Sequence, residues 1–202
     1  MRSWVPLTVL VFGAFAHLCN AGESTDIIEQ GKLELSRTDS RELLSGSLFF
    51  FYRNFGDPRL EPLARAVWEL NQAQFPGLSW DLLGQPSYRI DFAQMWAQWI
   101  RNAGRNEKEL QEIRSYVNAF IVSGNADFRA SAVNFVGSLG GESDIPSLEK
   151  IALEDEPRVA LIAVLAIEKI GGNAARTALL DLENTVKDPF VRERIRTING
   201  HK

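Results

Sequence analysis

Cysteine and histidine are almost absent from this chain of 202 residues, which has one cysteine and two histidines. Cys19 and His17 lie near the N-terminus, and His201 is the penultimate residue. Catalysis by an activated serine or cysteine, and most metal-dependent catalysis, requires an imidazole or a thiol beside the reacting centre. We therefore expect neither of these chemistries in the body of the chain, and no metal or cofactor.

An excess of positive charge and long apolar runs are also missing. The chain has 22 basic and 26 acidic residues, a formal net charge of −4, so nothing in its charge attracts nucleic acid. The apolar stretch from Trp4 to Ala16 is shorter than the about 20 residues that span a bilayer. We therefore expect no nucleic-acid partner and no membrane span.

The first 21 residues have the order of a secretory signal peptide. Arg2 precedes the apolar stretch, and small residues around Ala21 supply a cleavage site. Cleavage there removes the only cysteine and leaves 21 of the 22 basic residues against 26 acidic ones, a net charge of −5. A lipoprotein anchored through Cys19 is the minor alternative, since Leu18 is bulkier than such signals prefer. We expect a periplasmic or secreted protein, with residues 22–37 as a loose leader.

The C-terminal part contains an internal repeat with an offset of 31 residues. The segment from Phe128 to Gly141 matches the segment from Val159 to Gly172, and both end in paired glycines. A third copy starts near Val191 and stops after one helix. We predict paired helices in each unit, with the glycines as left-handed helix caps.

These segments resemble the HEAT-like repeats first associated with phycobilin lyases. The resemblance extends from Asn125 to Ile198 and is most evident where the residues from Phe128 to Ala132 run on into Leu139-Gly140-Gly141. It implies an all-α fold, an α-solenoid of helical hairpins, over residues 125–202. The related deoxyhypusine hydroxylase needs His-Glu metal pairs, which this chain lacks, and a cytoplasmic pigment lyase conflicts with export.

Residues 38–124 predict about four helices that lack the 31-residue register, so they are either degenerate repeats or a distinct helical cap. Asp57 and Pro58 open one helix, and Asn106 with Glu109 has the pattern of a capping box. Phe92, Met95, Trp96 and Trp99 share one helix face and predict a core stripe. The acidic run from Glu154 to Glu156 predicts a solvated turn between repeats.

Six residues are candidates for contact with a partner. In the helix around Phe50, the side chains of Leu43 and Phe50 point away from the main apolar stripe, which indicates either burial on two sides or an exposed patch. Trp80 lies in a region rich in proline and glycine and is a candidate for ligand contact. Lys150, Asp181 and Asn184 should lie on the outer face of the second helix of each repeat.

The sequence therefore favours a noncatalytic scaffold or adaptor that binds a protein through its helical surface. One alternative is a protein that binds a small ligand or a glycan through Trp80 and its neighbours. A third hypothesis is an enzyme that uses paired carboxylates. The oligomeric state stays open.

Overall fold

The structure of the chain, a computed structural model, describes residues 26–39, 46–104 and 106–200, and within these ranges it is helical without strands. Eleven α-helices lie in the described ranges. They are α1 (Ile27–Leu35), α2 (Leu48–Arg53), α3 (Glu61–Glu69), α4 (Trp80–Leu83), α5 (Pro86–Asn102), α6 (Glu107–Asn118), α7 (Ala126–Leu139), α8 (Ile145–Glu154), α9 (Pro157–Ile170), α10 (Gly172–Thr185) and α11 (Pro189–Gly200). Two 3-10 turns, Pro58–Leu60 and Glu142–Asp144, lead into α3 and α8.

The matched positions of the sequence repeat are buried in both copies. Helices α7 and α9 each have 14 residues, and the pairs at the 31-residue offset are at most 5% exposed. These pairs are Ala132 with Ala163, Val133 with Val164, Phe135 with Ala166, and Val136 with Ile167. The apolar period of the sequence thus identifies the core face of both helices.

The helices of the C-terminal part pack in two rows. Helix α5 packs against α7, α7 against α9, and α9 against α11, while α8 packs against α10 in the second row. Helix α8 also packs against α9, the next helix along the chain, and α9 packs against α10. Buried apolar side chains from Leu35 to Ile198 form one contiguous core through both halves of the chain.

The paired glycines end the helices for two different reasons. Gly171 and Gly172 have φ angles of 70° and 81°, a region that favours glycine. Gly140 has a φ angle of −78°, so the predicted left-handed cap is wrong there. A Cβ atom on Gly140 would collide with the carbonyl oxygen of Val136 and lie 2.7 Å from Oδ2 of Asp144. This position needs glycine for space and not for conformation.

The repeat helices begin with prolines or capping side chains. Pro157 and Pro189 are the first residues of α9 and α11, and Asp188 Oδ1 accepts the backbone N–H of Val191 at 2.9 Å. Asn125 caps α7. The prediction of a fully solvated acidic turn is wrong for Asp155, because its carboxylate binds the guanidinium of Arg129.

The Arg129 and Asp155 side chains form a two-pronged ion pair. Nη2 and Nε of Arg129 lie 2.7 and 2.8 Å from the two carboxylate oxygens of Asp155. Arg129 also donates to the carbonyl of Ser123 at 2.8 Å. The hydrogen bonds from Arg129 are the main reason why the pKa of Asp155 lies below its usual range, and burial opposes that shift. The pair fastens the start of α7 to the turn before α9.

The N-terminal part confirms the predicted caps at Asp57 and Asn106, but the full capping box is wrong, because the Glu109 carboxylate accepts from Asn106 Nδ2 at 3.1 Å and not from the Asn106 backbone N–H. Asp57 Oδ1 accepts the backbone N–H of Arg59 at 3.0 Å, and Asn106 Oδ1 accepts that of Glu109 at 3.3 Å. All four residues of the predicted core stripe on α5 are buried, with at most 5% exposure: Phe92, Met95, Trp96 and Trp99. The periodic positions of these helices were sufficient to identify their buried faces.

Helix α1 lies where the sequence predicts a loose leader over residues 22–37. Asp26 caps it, and its Gly31 and Leu35 are buried. A Cβ atom on Gly31 would lie 2.8 Å from Leu63 and 2.9 Å from Phe50. The leader prediction is therefore wrong for residues 27–35. The apolar pattern does not predict this helix, because one of its two buried residues is a glycine, which does not count as an apolar residue in such a pattern.

In the described part of the chain, no helix combines the length and the apolar character that crossing a membrane would require. The predicted signal peptide, residues 1–21, lies outside the described residues.

Candidate binding surface

Three of the six predicted contact residues lie together on the outer face of α8 and α10. Lys150 and Asp181 occupy equivalent positions at the 31-residue offset, and both are exposed. Asn184 is exposed less than one helical turn beyond Asp181. The opposite faces carry Leu148, Leu179 and Leu182, each at most 2% exposed. The predicted division of α8 and α10 into an inner and an outer face is confirmed.

Two large apolar side chains on the same two helices are also exposed, and the sequence pattern did not predict their exposure. Leu153 is 46% exposed and Leu180 is 47% exposed. Leu153 lies three residues after Lys150, and Leu180 lies four residues before Asn184, so each shares a helix face with its polar neighbour. We call Lys150, Leu153, Leu180, Asp181 and Asn184 the second-helix surface.

The polar groups of the second-helix surface are weakly engaged. Lys150 Nζ lies 3.9 Å from Glu154 Oε2, and both side chains are mostly exposed. Such solvated pairs are worth about 0–1 kcal/mol. Asn184 Nδ2 donates to the carbonyl of Leu180 at 3.1 Å, which leaves its side-chain oxygen available. A partner could therefore bind Lys150 and Asn184 without first breaking a strong interaction.

Phe50 is not available to a partner. It is 5% exposed and packs against Gly31 of α1 on one side, whereas its neighbour Phe51 contacts Phe92 of α5 with ring centroids 5.4 Å apart. Helix α2 is thus covered on two sides, so the prediction of an exposed patch at Phe50 is wrong. Leu43, its proposed companion, lies outside the described residues.

Trp80 begins the short helix α4 and is partly buried against the core. Its indole N–H is buried and finds no acceptor in the part of the chain that the structure describes. The ring does not stand free as an open platform. The exposed aromatic residues of the described chain lie elsewhere: Phe49 is 54% and Tyr52 is 46% exposed on α2, and Phe190 is 68% exposed on α11.

Tyr52 belongs to a polar seam that joins α2, α5 and α7. Burial raises the pKa of Asp91 on α5, and a hydrogen bond with Ser131 on α7 opposes that shift. Burial also raises the pKa of Tyr52, with a smaller contribution from the nearby Asp91 carboxylate. Farther along the seam, Asn134 Nδ2 donates to Gln94 Oε1 at 3.0 Å. This seam places hydrogen-bonding groups beside exposed aromatic rings.

A buried charge cluster surrounds Glu109, for which the sequence indicated only a capping role. Its carboxylate accepts from Arg65 Nη1 at 2.9 Å, from Trp96 Nε1 at 3.0 Å and from Asn106 Nδ2 at 3.1 Å. Glu109 is 6% exposed. Because three donors already satisfy the carboxylate, the cluster is a structural link between α3, α5 and α6 and not a reactive acid.

Arg89 forms a second structural link in the same region. Its guanidinium carbon lies 4.9 Å from the Trp68 ring centroid and 4.6 Å from that of Tyr116, and Nη2 donates to the carbonyl of Trp68 at 2.8 Å. Cation–π contacts of this kind are attractive and strengthen as they are desolvated. Arg89 therefore joins α3, α5 and α6.

Among the described residues, no three histidine, cysteine, aspartate or glutamate side chains are grouped so that they could hold a metal ion. Comparisons with protein-family models, with curated proteins and with solved structures find no match for this chain. The resemblance to HEAT-like repeats consequently stays a prediction from the sequence.

Proposed function

We propose that this protein is a noncatalytic scaffold or adaptor of the cell envelope that binds another protein through an α-solenoid of HEAT-like repeats. Two features support the solenoid: the 31-residue register of the sequence, and the packing of α7 against α9 and of α8 against α10, the helices that correspond at that offset. A stack of this kind presents an extended surface to which each repeat contributes equivalent positions. The envelope location rests on the predicted signal peptide.

The packing of α5 also favours degenerate repeats over a distinct cap. Helix α5 packs against α7 and against α6, as α9 packs against α11 and α10. In this proposal α5 and α6 form a further hairpin that has lost the sequence register. The 3-10 turn before α8 is joined to α6 by Arg114, whose Nη2 lies 3.0 Å from Asp144 Oδ2.

The half-exposed Leu153 and Leu180 are the single observation that carries the binding proposal. Large apolar side chains on a surface with polar neighbours are typical of the centre of a protein interface. A specific interface buries about 800 Å² on each partner, so the second-helix surface would form only part of it. Lys150 and Asp181 bring both signs of charge, which favours a protein partner over a polyanion.

Photocrosslinking in the native host tests this proposal. The photoreactive residue p-benzoylphenylalanine would replace Leu153, Leu180 or, as a control, Val122, which is 86% exposed and lies after α6. We expect the same protein to be crosslinked from positions 153 and 180 and not from position 122. Equal labelling from all three positions, or no protein adduct from 153 and 180, would contradict it.

A glycan-binding protein is the second candidate, because Phe49 and Tyr52 expose aromatic rings on α2 and the Tyr52 hydroxyl lies near Asp91 of the polar seam. Ligand sites commonly combine aromatic walls with a few placed polar groups. This candidate predicts that Tyr52→Ala abolishes retention on an immobilised envelope polysaccharide, while Leu180→Asp leaves retention unchanged. Retention that is the same for both variants and the parent would eliminate it. The paired-carboxylate enzyme is not supported by any arrangement described above.

A further inference from the structure

A second surface, unrelated to the proposed one, lies between α7 and α9 on the first-helix row. It is a cleft of about 330 Å³. Ser131 and Asn134 line it from α7, Ile162 and Leu165 line it from α9, and small residues such as Ala130 and Gly137 complete its lining. The two helices approach closely at one end, where a Cβ atom on Gly137 would lie 2.7 Å from Ala166.

The charges that line the cleft are all positive. Arg158 and Lys169 line it from α9, and its lining includes no carboxylate. They are eleven residues apart, so their Cα atoms are separated by about 16 Å along the helix axis. The two lining cations contrast with the net charge of −4 of the chain, but two carboxylates lie beside the lining: Asp127 pairs with Arg158, and Asp91 forms a hydrogen bond with Ser131.

Both cations are available to a ligand. Arg158 Nη1 lies 2.7 Å from Asp127 Oδ1, but the two side chains are 62% and 70% exposed, and such surface pairs exchange partners at little cost. Lys169 Nζ donates at 2.7 Å to Ser138 Oγ, a neutral oxygen. Neither cation is therefore committed to a buried carboxylate.

The middle of the cleft can hold both an apolar side chain and a peptide backbone. Ile162 and Leu165 are partly exposed and form an apolar wall. Asn134 already donates to Gln94, so its Oδ1 remains available to accept from a backbone N–H. The Ser131 hydroxyl lies on the same side of the cleft.

We propose that this cleft binds an extended acidic peptide segment of a partner protein, with an apolar residue between two carboxylates. In an extended chain, residues one, three and five point to the same side, and the first and fifth Cα atoms are about 13 Å apart. The long side chains of glutamate, arginine and lysine make up the difference between this spacing and that of the Arg158 and Lys169 Cα atoms, so each glutamate can pair with one cation. The apolar residue between the glutamates then contacts Ile162 and Leu165. This site is independent of the second-helix surface.

An NMR titration of the full mature chain with the peptide acetyl-Glu-Ser-Leu-Ser-Glu-amide tests the site. We expect backbone amide shifts confined to α7 and α9, and an affinity at least tenfold higher than for the matched peptide with both glutamates replaced by glutamine. Raising the salt concentration should weaken binding, because it screens exposed charges. Equal affinity for the two peptides, shifts elsewhere, or no shift at millimolar peptide would overturn the proposal.

Four variants test whether the charge requirement depends on the two cations. Arg158→Gln and Lys169→Gln should each lower the affinity about threefold to tenfold, whereas Lys187→Gln, an exposed lysine after α10, should leave it unchanged. Lys169→Glu should transfer the preference to a peptide in which one glutamate is replaced by lysine. An unchanged amide spectrum for each variant establishes that the fold is retained. If Arg158→Gln and Lys169→Gln both bind the glutamate peptide as tightly as the parent does, the proposed site is wrong.

Discussion

The two halves of the chain bury different kinds of side chain. Four of the five tryptophans and all three tyrosines lie between residues 52 and 116, and buried rings contact one another through α2 and α5, as Phe51 with Phe92 and Trp96 with Trp99. From α7 to α11 the core consists mainly of alanine, valine, leucine and isoleucine. The first half has a core of aromatic rings, each in a different environment, and the second half has a core of aliphatic side chains at repeated positions.

Helix length follows the same division. In the first half the α-helices range from 4 to 17 residues, whereas those of the second half range from 10 to 14. A large ring needs a pocket of its own shape, so it fixes the local helix length and angle. Small side chains at recurring positions let successive helices approach at the same distance, which is why the repeat can be regular.

The two halves of the chain also differ in how deeply they bury their charged side chains. Around Glu109 the first half buries a carboxylate that side chains from three helices surround. The second half has ion pairs nearer the surface: the side chains of Arg158 and Asp127 are 62% and 70% exposed, and those of Arg129 and Asp155 are 18% and 14% exposed. A buried carboxylate is costly to unpair, and an exposed one is not. The comparison therefore predicts large single-residue effects in the first half and smaller ones in the second.

The largest effect is expected for Phe50→Ala. Removing a buried phenylalanine side chain typically costs about 3–5 kcal/mol of unfolding free energy. Phe49→Ala, at the exposed neighbouring position, should cost little. Urea denaturation of the two variants measures the difference, and equal stabilities would show that α1 does not cover α2 through Gly31 and Phe50.

The second-largest effect is expected for Glu109→Ala, which should lower the unfolding free energy by about 3 kcal/mol. The variant leaves the Trp96 N–H and the Arg65 guanidinium without their acceptor, but Arg65 is 37% exposed and water compensates in part. Glu112→Ala, on the exposed face of the same helix, is the matched control. A loss no greater than in the control would mean that the cluster contributes nothing to stability.

Gly137→Val tests the close approach of α7 and α9 in the second half. Overpacking of a tight contact costs about 1–3 kcal/mol, and here a Cβ atom would lie 2.7 Å from Ala166. Gly141→Val meets no atom within 4 Å and has extended backbone, so its melting temperature should stay near that of the parent. If both variants melt alike, small residues do not set the spacing of the repeats.

The smallest effect concerns Asp155 and depends on pH. Its pKa lies below the usual value of about 3.9, so the ion pair with Arg129 stabilises the folded state above that value, and this contribution is lost as the pH falls through the lower folded-state pKa. Asp155→Asn should therefore be less stable than the parent at pH 7 and at pH 5. The two melting curves should converge as the pH approaches 2, and a constant gap down to pH 2 would contradict the pairing.

The sequence predicted the second half well because its signals are local and repeated. Burial at the 31-residue offset and the outer positions of Lys150 and Asp181 follow from helical spacing alone. The first half depends on contacts between distant residues: Glu109 meets Arg65 across 44 positions and Trp96 across 13. No local pattern contains those pairings. Nor could a pattern of apolar residues reveal that Leu153 and Leu180 stay half exposed, since periodicity assigns leucine to the core.

The most direct test of the account measures the affinity of the partner identified by crosslinking. Isothermal titration calorimetry would compare the parent with the double variant Leu153→Ser and Leu180→Ser, with Val122→Ser as the control, after thermal melts establish that all are folded. We expect the double variant to lose about 2 kcal/mol or more of binding free energy, the level typical of interface hot spots, and the control to bind as the parent does. Unchanged affinity in the double variant would show that the second-helix surface is not the binding site.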